Sequence, residues 1–243
     1  MKLKEYSYIC KRKTNLLQKQ RKTKTQKTNS MNKNDKFVIA INRELGSGGR
    51  TVGRLLADKL GVPFYDKALI QALQKEYNLT VAEIEKLKGR KHGWWADVLR
   101  ILNIGLDMRS YYYMPKISDE PDLITTDEMF KTETLILENL ANEGSCVVAG
   151  RSGFHVFRDH PNHINIFIQA SLESRLERVM RKQHMTREAA MKIIKKVDEM
   201  RENYIKRYTG KSRYDTRNYQ LVISADNKTE DEIVDIILKY IGQ

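Results

Sequence analysis

At 243 residues, 40% hydrophobic and 31% charged, the chain reads as a globular protein with one sizeable core, or one domain carrying an insert, rather than a disordered one. No apolar run approaches the roughly 18 residues of a bilayer-spanning helix, and Cys10 and Cys146 supply neither a disulfide framework nor metal-ligand spacing, so a cytoplasmic protein is expected. The net charge of +13 is local: residues 1–36 hold 12 Lys/Arg against Glu5 and Asp35, leaving 32 against 29 in the remaining 207.

Residues 1–35 are rich in Lys, Arg, Thr, Gln and Asn and show no periodic apolar face. Such a segment buries too little surface to offset chain entropy, so a disordered basic tail is expected. Leu16-Leu17 is too short for the apolar stretch of a secretory signal. Two readings of the tail stay open: an arm for nucleic acid or an acidic surface, or an extension without a role, the working protein starting near Met31.

The text changes at Lys36. Phe37-Val38-Ile39-Ala40-Ile41 is a β-branched apolar run, as in a strand buried on both faces. A glycine-rich turn follows, then Val52, Leu55, Leu56 and Leu60 at helical spacing, with Gly61 as the stop. Val62–Asp66 starts a second strand, and Cys146–Ala149, Ile164–Ile168 and Tyr219–Ile223 read as three more. Five short strands separated by helical segments predict an α/β fold with a parallel sheet. Thr80 with Glu83 and Thr229 with Glu232 form two capping boxes. Helices are expected near 67–77, 80–90, 95–108 and 125–143, an insert of about 80 residues over the sheet's carboxyl edge, where ligands bind in such folds. Trp94-Trp95 and Tyr111-Tyr112-Tyr113 mark irregular stretches in it, suited to packing a small subdomain or to stacking on a base.

The central feature is Asn42-Arg43-Glu44-Leu45-Gly46-Ser47-Gly48-Gly49-Arg50-Thr51, between strand and helix. Small residues let backbone N–H groups turn inward, and a helix N-terminus adds partial positive charge. A cation at Arg50 and a hydroxyl at Thr51 match the P-loop Lys and Ser/Thr that bridge β/γ-phosphates and hold Mg²⁺. The usual pattern also wants Gly five residues before Gly49, where Glu44 stands. A dinucleotide loop, with Asp66 20 residues beyond Gly46, and a tight turn without ligand remain as alternatives, although Thr51 replaces the third Gly of the dinucleotide pattern. The enzyme reading requires an open bend and an Arg50 guanidinium free to reach the triphosphate; a collapsed bend, or an ion pair holding that guanidinium elsewhere, counts against the enzyme reading as a whole.

Arginines downstream support a phosphate site. Gly150-Arg151 follows the third strand at the carboxyl edge, Arg175 and Arg178 share a helix face at i,i+3, and Asp198, Arg201 and Tyr204 share another. Several arginines converging on one sheet edge suit neutralisation of a transferring phosphate. His155, His160 and His163 lack a completing Cys or carboxylate and read as exposed loop histidines, and Cys146 reads as strand packing.

Together the stretch Ile41-Asn42-Arg43-Glu44 through Gly46-Ser47-Gly48-Gly49-Arg50, the run Phe64-Tyr65-Asp66-Lys67, Val148-Ala149-Gly150-Arg151 and Asp198-Glu199-Met200-Arg201-Glu202-Asn203-Tyr204 resemble the cytidylate kinase-like family of P-loop nucleoside monophosphate kinases. The resemblance runs from about Phe37 onward. It implies a five-stranded parallel sheet flanked by helices in a domain over 36–243, a helical substrate-binding insert (about 67–143) and a helical lid (about 171–217). It also implies Mg²⁺-dependent transfer of the ATP γ-phosphoryl group to a nucleoside monophosphate such as CMP or dCMP. By position, Gly46, Ser47, Gly48, Gly49, Arg50 and Thr51 look like the ATP loop, with Arg50 also catalytic and Thr51 on Mg²⁺. Arg175, Arg178 and the catalytic Arg201 look like lid arginines, and Asp66, Arg151 and Asp198 look like acceptor-side residues. Cytidylate kinases carry a Lys in the loop and an Asp after the Gly-Arg pair, where this chain has Arg50 and Ser152. A catalytically weak nucleotide-binding regulator, or a kinase of another small-molecule acceptor, therefore stands beside the nucleotide-kinase reading.

Overall fold

The computed structural model describes residues 31–32, 34–67, 70 and 127–242. The expected tail, the Thr80 capping box, the helices near 67–77, 80–90 and 95–108 and the aromatic runs lie outside the described residues, apart from Met31–Asp35 and the start of the first of those helices.

Five strands form one parallel sheet: β1 (Val38–Arg43), β2 (Phe64–Tyr65), β3 (Cys146–Ala149), β4 (His163–Gln169) and β5 (Leu221–Ser224), in the spatial order β2-β3-β1-β4-β5. β1 is the middle strand, with Ile41 beside Ala149 on one side and beside Ile166 on the other. Its residues Val38–Ile41 are almost wholly buried, which is why the run is continuously apolar rather than alternating. β2 is shorter than Val62–Asp66 because Pro63 has no N–H for the ladder; its carbonyl alone takes part, accepting from Val147 N–H at 2.9 Å.

Helices cover both faces. On one, α1 (Gly49–Leu60) and the last helix, Glu230–Tyr240, pack Val52, Leu56, Ile233, Val234 and Ile237 against Ile39, Ile41, Val147 and Ile166. On the other, α2 (Asp127–Glu143) and α3 (Gly153–Val156) set Ile136, Leu137, Leu140 and Val156 against Val38, Ala40 and Val148. α4 (Leu172–Gln183) and α5 (Arg187–Thr209) follow β4, capped by Ser171 and Thr186, and Glu230–Tyr240 is α6. Gly61 ends α1 in a left-handed C-cap.

The connection from β1 leads through α1 to β2 on one side, and the connection from β3 leads through α3 to β4 on the other. β1 and β3 are neighbours, so their loops diverge and leave a crevice at their carboxyl ends, the position where open α/β sheets bind ligands.

The capping box at α6 is complete: Thr229 Oγ1 accepts from Glu232 N–H (3.2 Å), and Glu232 Oε2 accepts from Thr229 N–H (2.7 Å). Thr229→Ala is expected to lower stability by about 1 kcal/mol. An unchanged urea midpoint would show that packing alone sets the start of α6.

Candidate active site

The loop after β1 holds its bend through backbone conformation. Gly46 (φ 85°) and Gly48 (φ 83°) are left-handed, and Gly48 serves as the α1 N-cap without any side-chain cap. Ser47 braces the bend: its hydroxyl donates to the Glu44 carbonyl at 3.0 Å. No acidic residue stands in the first turn of α1, so the helix end keeps its positive character. Thr51 follows in that turn, half-buried.

Arg50 does not serve the bend in this structure. Its Nε donates to Asp66 Oδ2 at 2.7 Å and its Nη2 lies 2.6 Å from the same oxygen. The ion pair that counts against the enzyme reading is therefore present, and what it overturns is the assignment of the loop's charge to Arg50; the enzyme reading itself rests on other ground, given below. Asp66, just beyond β2, is buried and matched to this guanidinium, so two residues expected on opposite sides of the reaction are partners.

Asp198 on α5 is a hub. It accepts from Leu45 N–H (3.0 Å), pairs with Arg175, and lies 3.5 Å from Arg213 Nη1 and 3.6 Å from Arg201 Nη1. Arg175 also donates from Nε to the Leu45 carbonyl (2.8 Å) and lies 3.2 Å from Glu44 Oε1. Gly46 belongs to the same joint, since a Cβ there would come within 2.7 Å of the Arg175 carbonyl oxygen. Expected as a lid arginine and an acceptor-side carboxylate, Arg175 and Asp198 instead fasten α4 and α5 to the glycine loop.

The other arginines separate by partner. Arg151 pairs with Glu133 of α2 in a buried contact and stacks over the Tyr204 ring (5.5 Å), whose hydroxyl donates to Glu133 at 3.1 Å. Arg178 pairs with Glu230 at the start of α6, and its guanidinium lies against Gly48, 3.1–3.3 Å from where a Cβ would stand. Arg201 donates to the Arg43 carbonyl (3.3 Å), as does Arg213.

Arg43 itself is the residue that spacing missed. It ends β1 at the crevice, yet it lies two residues beyond the apolar run and reads from sequence as the start of a loop. Its stem lies over Gly49 and its guanidinium over Gly150. Burial, then Arg201, then Arg213 and Arg50 hold its pKa well below the ordinary arginine range, with Asp66 alone opposing. Burial and Arg213 likewise push Arg201 down to about 10. Cations crowded at a crevice against too few carboxylates are stabilised by a bound anion. Arg213, Glu133, Glu44 and Glu230 were missed as well, because their partners are distant in sequence.

Among the described residues no group of three or more His, Cys, Asp or Glu is placed to hold a metal. The histidines are less exposed than expected of loop residues: His155 lies on α3, and His163 on β4 has its Nδ1 2.6 Å from the His160 carbonyl oxygen. Cys146 is buried in β3, and burial raises its thiol to about 12. In a Cys10→Ser background, a thiol reagent at pH 8 is expected to leave Cys146 unmodified until urea is added; rapid labelling of the folded protein would show the strand to be open.

Comparison with known proteins bears on the family and the fold. Residues 38–227 match the profile of the Cytidylate kinase-like family. The chain belongs to that family. A curated relative, "Cytidylate kinase" of Sulfolobus acidocaldarius, is 24% identical over 207 residues, 84% of this chain and 94% of its own. In fold, the chain is similar to an uncharacterized protein from Eubacterium ventriosum (TM-score 0.61, 24% identity, 84% of this chain and 98% of that one). Family membership makes the protein a phosphotransferase of the nucleotide-kinase kind, a class that uses ATP. The five-stranded parallel sheet with flanking helices is the one that the family resemblance implies. No helix among the described residues is long and apolar enough to cross a membrane.

Proposed function

We propose that this cytidylate kinase-like protein transfers the γ-phosphoryl group of ATP to a nucleoside monophosphate, with CMP or dCMP the preferred acceptor. The observation that carries the reading is the crevice between β1 and β3, where the glycine loop and an uncapped helix N-terminus meet the crowded guanidiniums of Arg43, Arg201 and Arg213. Such a site positions and neutralises phosphate, which is most of what phosphoryl transfer asks of a protein. CMP is taken from the name of the Sulfolobus relative, and dCMP from the family resemblance.

In this mechanism the backbone N–H groups of Gly46–Gly49 and the start of α1 hold the triphosphate. Arg201, held against the end of β1 by the Arg43 carbonyl, faces the transferring group. Arg151, set by Glu133 and Tyr204 beside the β3 end, meets the acceptor phosphate. Mg²⁺, when bound, neutralises β- and γ-oxygens. Thr51 supplies one half-buried hydroxyl in the first turn of α1. With Gly48 as the last left-handed glycine of the bend, however, it lies one residue beyond the pattern's Ser/Thr position, which Arg50 occupies. The Mg²⁺ role expected of Thr51 is therefore left without support.

ADP release measured over CMP, dCMP, UMP and AMP tests the proposal: turnover is expected with CMP or dCMP above the others, and none with any monophosphate would remove it. A second reading, nucleotide binding with little turnover, is favoured by the Arg50–Asp66 pair, which takes one cation out of the loop. Tight ATP binding without transfer to any acceptor would decide for it.

A further inference from the structure

The P-loop pattern places its lysine immediately after the last glycine of the bend and at the opening of the helix. In this chain the bend's last left-handed glycine is Gly48, the N-cap, and the helix opens at Gly49. The lysine position is therefore Gly49, and Arg50 lies one residue too far along, a step of about 100° round the helix. That displacement explains why the Arg50 guanidinium meets Asp66 instead of the loop.

Gly49 is not left-handed, so a side chain is not excluded there by backbone conformation. It is excluded by space. A Cβ on Gly49 would stand 2.6 Å from Arg43 Cβ and 3.0 Å from Arg43 Cγ, so the Arg43 stem fills the volume where a lysine stem would begin. From there the side chain reaches Gly150, whose positive φ (79°) and missing Cβ leave room for the guanidinium. The Arg43 head thus sits between the glycine loop and the loop that carries Arg151. Among the described residues no carboxylate lies within ion-pair distance of it, in contrast to Arg50, Arg151, Arg175 and Arg178.

We propose that Arg43 is the phosphate-binding cation of this loop: it enters from the end of β1, crosses over Gly49, and contacts the triphosphate where a P-loop lysine ordinarily would, close enough to the β3 end to touch the acceptor phosphate as well. Two glycines, at 49 and 150, are the space this crossing requires. The assignment rests on the kinase reading above and moves the loop's charge from Arg50 to Arg43.

The test compares Arg43→Met, Arg43→Lys, Arg50→Gln, Arg43→Gly and the exchange Arg43→Gly with Gly49→Lys. ATP and ADP affinities are measured by calorimetry, alongside ADP release. None of these changes removes the Arg43 carbonyl, which Arg201 and Arg213 grip. Arg43→Met is expected to weaken ATP by about 10- to 100-fold, the range of a charge-assisted contact, with Arg43→Lys intermediate and Arg50→Gln within about threefold of the parent. The exchange should regain at least about tenfold over Arg43→Gly, because the cation returns by the ordinary route. A merely structural Arg43 would not be rescued by a lysine at 49. If Arg43→Met binds ATP like the parent while Arg50→Gln does not, the assignment is wrong and the kinase reading stands. If the parent neither binds ATP nor releases ADP with any monophosphate, the kinase reading falls and takes the assignment with it.

Discussion

Asp198→Ala is expected to destabilise the protein by about 3–5 kcal/mol, the cost of removing one partner from a buried ion pair. The carboxylate lies among Arg175, Arg201 and Arg213 and also accepts the Leu45 N–H. The Arg213 side chain is 2% exposed and that of Arg175 9%, so water cannot replace the lost charge well. Asp198→Asn keeps an acceptor for Leu45 N–H and should lose less. Urea unfolding followed by circular dichroism gives both numbers. A loss under about 1 kcal/mol for the alanine variant would mean that the cations are already solvated and the hub is incidental.

Glu133→Ala should be as costly, for the same reason in a different place. Glu133 is 2% exposed and Arg151 8%, and Glu133 also accepts from Tyr204. Replacing both charges, Glu133→Met with Arg151→Met, should restore most of the stability, because exchange of a whole buried pair for apolar groups is often neutral. The double variant separates stability from function. If Arg151 meets the acceptor phosphate, it will fold yet show a sharply raised KM for the monophosphate, with ATP affinity unchanged. Normal acceptor kinetics in the folded double variant would leave Arg151 a purely structural residue.

The sheet was legible because its determinants are local. Val38–Ile41 and Cys146–Ala149 announce buried parallel strands by composition alone, and Thr229 with Glu232 marks α6 to the residue. The site was legible only as a neighbourhood. The bend at Gly46–Gly49 offers two registers for the following cation, and spacing favours Arg50 because it is adjacent and basic. Which register holds depends on which glycine caps α1 and on what fills the space over Gly49, and both are facts of three dimensions. Which carboxylate meets which arginine was out of reach for the same reason: Glu230 is 52 positions from Arg178, and Asp66 and Asp198, singled out for other roles, pair with arginines on other elements. Helix periodicity can place Asp198 and Arg201 on one face, but it does not say what lies opposite them.

The joint of Leu45, Arg175 and Asp198 has a mechanical consequence. Arg175 in the first turn of α4 and Asp198 midway along α5 bond to the same bend, and Arg178 is tied sideways to Glu230. Any displacement of the two helices that kept these bonds would have to pivot about that joint, as about a root, rather than lift off as a slab. The largest excursion then falls at the far turn, His184–Thr186, where His184 is left-handed. Probes attached there would report strokes that labels beside the root never feel.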